Sequence, residues 1–140
     1  MQVSPYLSFK GDCEAAFKFY EKCCGARIGD LFRYEGSPAA AHAPAGWGSK
    51  VMHGSVTVGN MVLMGADLSA ENYVAPQGFS LSLQIPTIAE AERVFRELAD
   101  GGTVVMPLEQ TFWAARFGML VDRFGVPWQV NCEGAAAQQS

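Results

Sequence analysis

The chain has 140 residues, of which 49% are apolar, and a formal charge of −4. That is enough apolar material for one domain with a real core, and too much for a disordered chain. The acidic balance gives no basic footprint for nucleic acid, and no apolar run is long enough to span a bilayer.

Met1-Gln-Val-Ser carries neither the basic nor the apolar region of a secretory signal, so a cytoplasmic location is expected. Val3-Ser-Pro-Tyr-Leu-Ser-Phe9 alternates as a strand does. Gly11–Gly25 reads as a helix. Asp12 stands at its N-cap, Glu14 puts a negative charge in its first turn, and Gly25 stops it. Its apolar stripe is Cys13, Ala16, Phe17, Tyr20 and Cys24. A strand follows near 27–34, and then Glu35–Ser49, an Ala, Pro and Gly-rich stretch that reads as a long loop and a candidate lid. Val51–Val58 and Met61–Gly65 form a hairpin turning at Gly59-Asn60.

After a connection at Asp67–Gln77 the same plan recurs. Phe79–Ile85 alternates, and Thr87 caps a second helix with Glu90 completing a capping box. The stripe of this helix is Ile88, Ala91, Val94, Phe95 and Leu98, and Gly101-Gly102 ends it. A strand near Thr103–Met106 and a hairpin over Arg116–Cys132, turning at Asp122–Gly125, complete the repeat. The expectation is an α+β domain over 1–133 made of two βαβββ modules, 1–66 and 77–133, with a flexible tail at 134–140.

The alternation sorts the strands into two faces. Leu7, Phe9, Leu81, Leu83, Ile85, Trp128, Val130 and Cys132 form the apolar face expected under the helices. Ser4, Tyr6, Ser8, Ser80, Ser82, Gln84, Gln129 and Asn131 form the other. Polar groups mixed with Met and aromatics suit a small-molecule pocket, although a solvated sheet face would alternate in the same way. The ligand-binding candidates are Tyr6, Ser8, Met64, Ser80, Ser82, Trp113, Arg116, Gln129 and Asn131.

His53 shares a strand face with Ser55 and Thr57. It reads equally as a general base and as a strand histidine bonded to a neighbour. Arg116 reads equally as an anion holder and as the ion-pair partner of a nearby acid. For Trp113, packing in a core or dimer face outweighs stacking on a ligand ring. Glu35, Asp67 and Glu109 read as solvated acids in or beside loops, and Asp122 as the shaper of its turn. Cys13, Cys24 and Cys132 read as small buried hydrophobes, with no C-x-x-C pair among the four cysteines. There is no phosphate-binding loop, no nucleophile elbow, and no Gly-rich strand-to-helix turn for a methyl-donor cofactor.

Three stretches carry a family resemblance: Ser4-Pro-Tyr-Leu-Ser-Phe9 before the Asp12 helix, Gln110-Thr-Phe-Trp113, and Asp122-Arg-Phe-Gly-Val-Pro-Trp128. The chain resembles the PhnB-like branch of the vicinal oxygen chelate superfamily, the glyoxalase and bleomycin-resistance proteins, from residue 1 to about 132. The resemblance implies paired modules whose mixed sheets curl around a cleft, and a homodimer whose chains complete each other's clefts.

The resemblance also implies one metal ligand on each of four strands. In this chain those positions fall at Tyr6, at or beside Met64, at Ser80 (Phe79 if the register slips by one), and at Gln129. That set does not make a divalent-metal site, so no cofactor is expected. Family members often carry a histidine on the strand of His53, which tips it towards the pocket. The leading expectation is a small-molecule binder without a catalytic metal. The alternatives are a metal-independent lyase or isomerase using His53 or Tyr6, and a metalloenzyme with an unrecognised ligand set.

Overall fold

The computed structural model describes residues 1–134. Part of the expected tail, from residue 135 on, lies outside the described residues. The chain divides into two compact units, Met1–Val74 and Ala75–Ser140. No helix among the described residues is long and apolar enough to cross a membrane.

The N-terminal unit runs β1 (Tyr6–Phe9), α1 (Cys13–Cys24), β2 (Arg27–Arg33), β3 (Val51–Val58) and β4 (Met61–Asp67). A short 3-10 helix, Pro38–His42, lies in the long loop after β2. The sheet order is β1-β4-β3-β2, with β1 parallel to β4 and the other pairs antiparallel. The expected first strand is shorter than its alternation suggested. Residue 5 is proline and has no N–H to give a ladder, and only its carbonyl joins the sheet, accepting from Met64 N at 2.9 Å.

Helix α1 buries Cys13, Ala16, Phe17, Phe19, Tyr20 and Cys23. Cys23, not Cys24, therefore completes the stripe. It lies seven residues after Ala16, almost two full turns, and so on the same side of the helix. Phe17 packs over glycines. A Cβ at Gly54 would stand 3.1 Å from the Phe17 ring, and one at Gly65 would stand 3.2 Å from it. Two sheet positions without side chains let the ring lie close to the backbone. Phe9 meets Phe17 edge to face at 6.0 Å. Glu14 binds Arg33 through both oxygens, at 2.9 and 3.1 Å, tying α1 to β2. That pairing lowers the Glu14 carboxyl pKa and raises that of the Arg33 guanidinium.

The C-terminal unit repeats the plan: β5 (Leu81–Gln84), α2 (Ile88–Ala99), β6 (Thr103–Glu109), β7 (Arg116–Val121) and β8 (Pro127–Cys132). Its sheet order is β5-β8-β7-β6. Thr87 Oγ1 accepts from Glu90 N at 3.2 Å, the cap read from the sequence. Ala91, Val94, Phe95 and Leu98 are buried as expected, whereas Ile88, in the first turn, is exposed. Gly118 repeats the close approach under a helix phenylalanine, since a Cβ there would stand 2.8 Å from the Phe95 ring. Edge strand β6 leaves Val104, Val105 and Met106 exposed. Each unit is thus an α+β module of one four-stranded mixed sheet and one α-helix, the βαβββ plan expected from the sequence.

Candidate functional site

In each unit the helix covers one sheet face and leaves the side chains of alternate residues on the other. In the N-terminal unit the uncovered face is built by register. Tyr6 stands opposite Met64, Ser55 opposite Met64, and Phe32 opposite His53. Tyr6 and Phe32, on the two edge strands of the sheet, are 52% and 53% exposed, high values for aromatic rings. The Tyr6 hydroxyl lies 3.0 Å from His53 Nδ1. Phe32 stacks on the imidazole, with centroids 6.3 Å apart and planes at 21°, and the Tyr6 ring tilts over it at 5.6 Å.

Phenol, imidazole and phenyl thus form one continuous aromatic surface with a hydrogen bond inside it. Partial burial is the largest cause of a raised Tyr6 pKa, followed by the nearby Cys13 and Tyr34 groups. Tyr6 is therefore a neutral phenol at neutral pH and a poor base. Two tautomers follow for His53. With the phenol donating to Nδ1, Nε2 carries its proton and can only donate. With Nδ1–H donating to the phenol oxygen, Nε2 is free to accept a proton.

In the C-terminal unit the uncovered face carries carboxamides. Ser82 stands opposite Gln129, Gln84 opposite Asn131, and Phe117 opposite Asn131. Gln84 Nε2 donates to Ser82 Oγ at 2.9 Å, and Asn131 Nδ2 donates to Gln84 Oε1 at 2.7 Å. Asn131 Oδ1 is buried and has no hydrogen-bond partner. An orphaned buried acceptor costs on the order of 1–3 kcal/mol, which a ligand N–H or O–H would recover.

Trp113 lies beside this face, packed edge-on against Phe117 at 5.3 Å and against Phe112 at 4.8 Å. Arg116 is taken up by an ion pair, Nε to Glu92 at 3.3 Å, and by the Ala115 carbonyl at 2.7 Å, which is the second of its two readings. Ser80 and Phe79 both precede β5, and the residue in register with Gln129 is Ser82. Pairing with β8 begins at Leu81 opposite Trp128, so Ser80 lies just outside the paired strand.

The donor set on these faces can now be tested against a divalent metal. Tyr6 with Met64, and Ser82 with Gln129, offer a phenol, a thioether, a hydroxyl and a carboxamide. Zinc and nickel sites are built from imidazole, thiolate or carboxylate, so these four residues do not fit one. Met64 can instead supply a polarisable wall beside Tyr6, and Ser8, two residues along β1 from Tyr6, a hydroxyl on the same face.

Sequence reasoning missed the burial of two carboxylates. Asp67, read as solvated, is 1% exposed. Its Oδ1 accepts from Gly11 N at 3.1 Å and Cys13 N at 2.9 Å, and its Oδ2 accepts from Val51 N at 2.9 Å. It does for α1 what Asp12 was expected to do, since Asp12 makes no side-chain cap bond. Burial, and after it the charge of Asp67, pushes the Cys13 thiol far above its ordinary range, leaving it protonated and inert. Asp122 does shape its turn, and it also accepts from the buried Trp128 indole at 2.9 Å.

Comparison with known proteins agrees with this architecture. The family model of the Glyoxalase/Bleomycin resistance protein/Dioxygenase superfamily matches residues 2–130. Protein YjdN of Escherichia coli is 32% identical over 94% of this chain and 95% of its own length. Protein PA1353 of Pseudomonas aeruginosa superposes with a TM-score of 0.85 at 45% identity, covering 96% of this chain and 98% of that one. The PhnB protein of Bacillus cereus superposes with a TM-score of 0.81 at 28% identity, covering 94% and 99%.

Proposed function

The chain belongs to the Glyoxalase/Bleomycin resistance protein/Dioxygenase superfamily, in its PhnB-like branch, and on that footing we propose that it binds a small aromatic molecule without a catalytic metal. The observation that carries the reading is the Tyr6–His53–Phe32 surface, three rings in contact on a sheet face that no helix of its unit covers. A planar ligand stacks there, takes a hydrogen bond from the histidine or the phenol, and packs on Met64. The donor set discussed above argues against a metal at these positions. A second copy of the chain is the proposed cover for the exposed apolar edge at Val104, Val105, Met106 and Phe112, the last 94% exposed.

A thermal-shift screen of small aromatic and anionic compounds, followed by titration of the hits, tests the binding reading. His53→Ala is expected to weaken a true hit by about 10-fold and Tyr6→Phe by about 3-fold, the scale of one lost stack or hydrogen bond. Hits that bind both variants as they bind the wild type would remove this face from consideration. Metal analysis after incubation with Zn, Ni, Mn or Fe(II) is expected to find no stoichiometric ion, and a 1:1 ion would overturn the metal-free reading. Light scattering on the same sample reads one chain or two.

A second reading has its own support, the 3.0 Å contact between Tyr6 and His53. In the tautomer with Nε2 free, His53 takes a proton from a bound substrate while Tyr6 holds Nδ1–H, a metal-independent lyase or isomerase step. It predicts product formation that His53→Ala abolishes while binding persists. Unchanged ligand recovered after long incubation would leave the binding reading alone.

A further inference from the structure

The N-terminal unit holds a cavity of about 390 Å³ away from the sheet face described above, between the loop that follows β2 and the segment that follows β4. Its volume is within the range of small-ligand pockets. Tyr34, His42, Trp47, Leu68 and Glu71 are the lining residues that matter. None of Tyr6, Phe32 or His53 lines it. We propose that this cavity is a second binding site, selective for an organic cation with an apolar body.

Two aromatic rings stand as adjacent walls, Tyr34 and Trp47, with centroids 6.0 Å apart and planes at 70°. The Tyr34 ring and the Trp47 backbone are each anchored without a ligand. The Tyr34 hydroxyl donates to the Asp67 carbonyl at 3.0 Å, which anchors the ring to the end of β4. The Trp47 backbone is held on both sides, its N–H donating to the Pro44 carbonyl at 3.1 Å and its carbonyl accepting from Lys50 N at 2.9 Å. The two rings meet edge to face and both line the cavity, which puts aromatic π-density, the kind that attracts ammonium groups, within reach of a bound ligand.

Charge points the same way. The lining contains one carboxylate, Glu71, and no lysine or arginine. Glu71 is exposed and makes no ion pair among the described residues. It rides on a turn closed by Asn72 N and Tyr73 N, both donating to the Ser69 carbonyl at 2.9 Å, and by Asn72 Nδ2 donating to Ser69 Oγ at 3.2 Å. Leu68, Pro44 and the alanines at 39 and 43 supply the apolar remainder. An anion would meet Glu71 uncompensated, and a neutral molecule would gain at most a hydrogen bond from it. A cation gains from the carboxylate and from both rings.

The test titrates the full chain with three probes of one shape class: benzyltrimethylammonium, benzyl alcohol and benzenesulfonate. It runs at pH 8, above the range in which free imidazole is charged. The readout is the Trp47 indole N–H resonance, assigned with Trp47→Phe. Saturable binding of the cation is expected, with at least about 10-fold preference over the other two probes. Glu71→Gln, an exposed and structurally mild change, is expected to weaken the cation by about 3- to 10-fold. Trp47→Leu, read on the trimethylammonium proton signal of the probe because this variant lacks the indole reporter, is expected to lose it, and His53→Ala to leave it unchanged. Three results would each overturn the proposal: no saturation at accessible concentrations, equal affinity for the three probes, or undiminished binding in Glu71→Gln. A shift that His53→Ala removes would place the cation on the sheet face instead, which also overturns it.

Discussion

Asp67→Ala is expected to destabilise the fold by about 3–5 kcal/mol, the range for removing one member of a buried, charge-assisted hydrogen-bond set. The carboxylate serves three backbone N–H groups from three places in the chain: Gly11 before α1, Cys13 at its first residue, and Val51 at the start of β3. Alanine leaves all three donors without an acceptor, and water has little access to a side chain that is 1% exposed. For a domain of this size the loss corresponds to a fall in Tm on the order of 10 °C. Asp67→Asn separates geometry from charge. Its single carbonyl oxygen can keep Gly11 and Cys13, but its amide then faces the Val51 N–H, so a smaller loss of about 1–2 kcal/mol is expected. Hydrogen exchange should speed at both the Cys13 and Val51 amides in Asp67→Ala, and at Val51 in Asp67→Asn. An Asp67→Ala protein within about 1 kcal/mol of the wild type would mean that these donors find other partners, and the cap role would fail.

This carboxylate also marks where the sequence stopped being readable. Thr87 was legible as a cap because its partner, Glu90 N, lies three residues away and the signal is local. Asp67 reaches residues that lie before α1 and at the far end of the loop, and no window along the chain contains them together. A lone aspartate at a strand end reads as solvated unless the fold is already known. The helices, the hairpin turns and the two-face alternation were legible because each rests on a period or a turn residue. The limits were local too. At the end of α1, Cys23 and Cys24 compete for one stripe, and the pattern alone does not choose between them. In β6, Val104, Val105 and Met106 look like core and are exposed, because an apolar strand at a sheet edge has the same sequence as one inside it.

The candidate site was legible as a list but not as an arrangement. Tyr6 and His53 were both singled out, yet their contact depends on β1 joining the sheet beside β4 and β4 beside β3, a crossover that alternation cannot reveal. Phe32 escaped notice because it lies beyond a register shift in β2, where the count of alternate residues breaks. Ser80 falls outside the paired strand for the related reason that strand ends are set by pairing partners and not by the run of alternation.

Asp122→Ala should be nearly as costly as Asp67→Ala, at about 3–4 kcal/mol, because it breaks the second buried carboxylate hub. Asp122 Oδ1 accepts from Phe124 N at 2.8 Å and Val126 N at 3.0 Å, closing the turn between β7 and β8. Oδ2 accepts from the indole of Trp128, the largest fully buried side chain of the described residues. One side chain therefore fixes both the turn and the orientation of the ring that fills the core of its unit. A double-mutant cycle divides the two roles. Trp128→Phe removes the indole N–H and some packing, at an expected cost of about 1–3 kcal/mol. If the indole bond contributes in its own right, Asp122→Ala should cost about 1 kcal/mol less in the Trp128→Phe background than in the wild type. Additive losses would assign the Asp122 effect to its other contacts, the two turn amides among them, and show no separate contribution from the indole bond. Both outcomes are read from urea midpoints at constant m, since a changed m would mean that the unfolded state had moved as well.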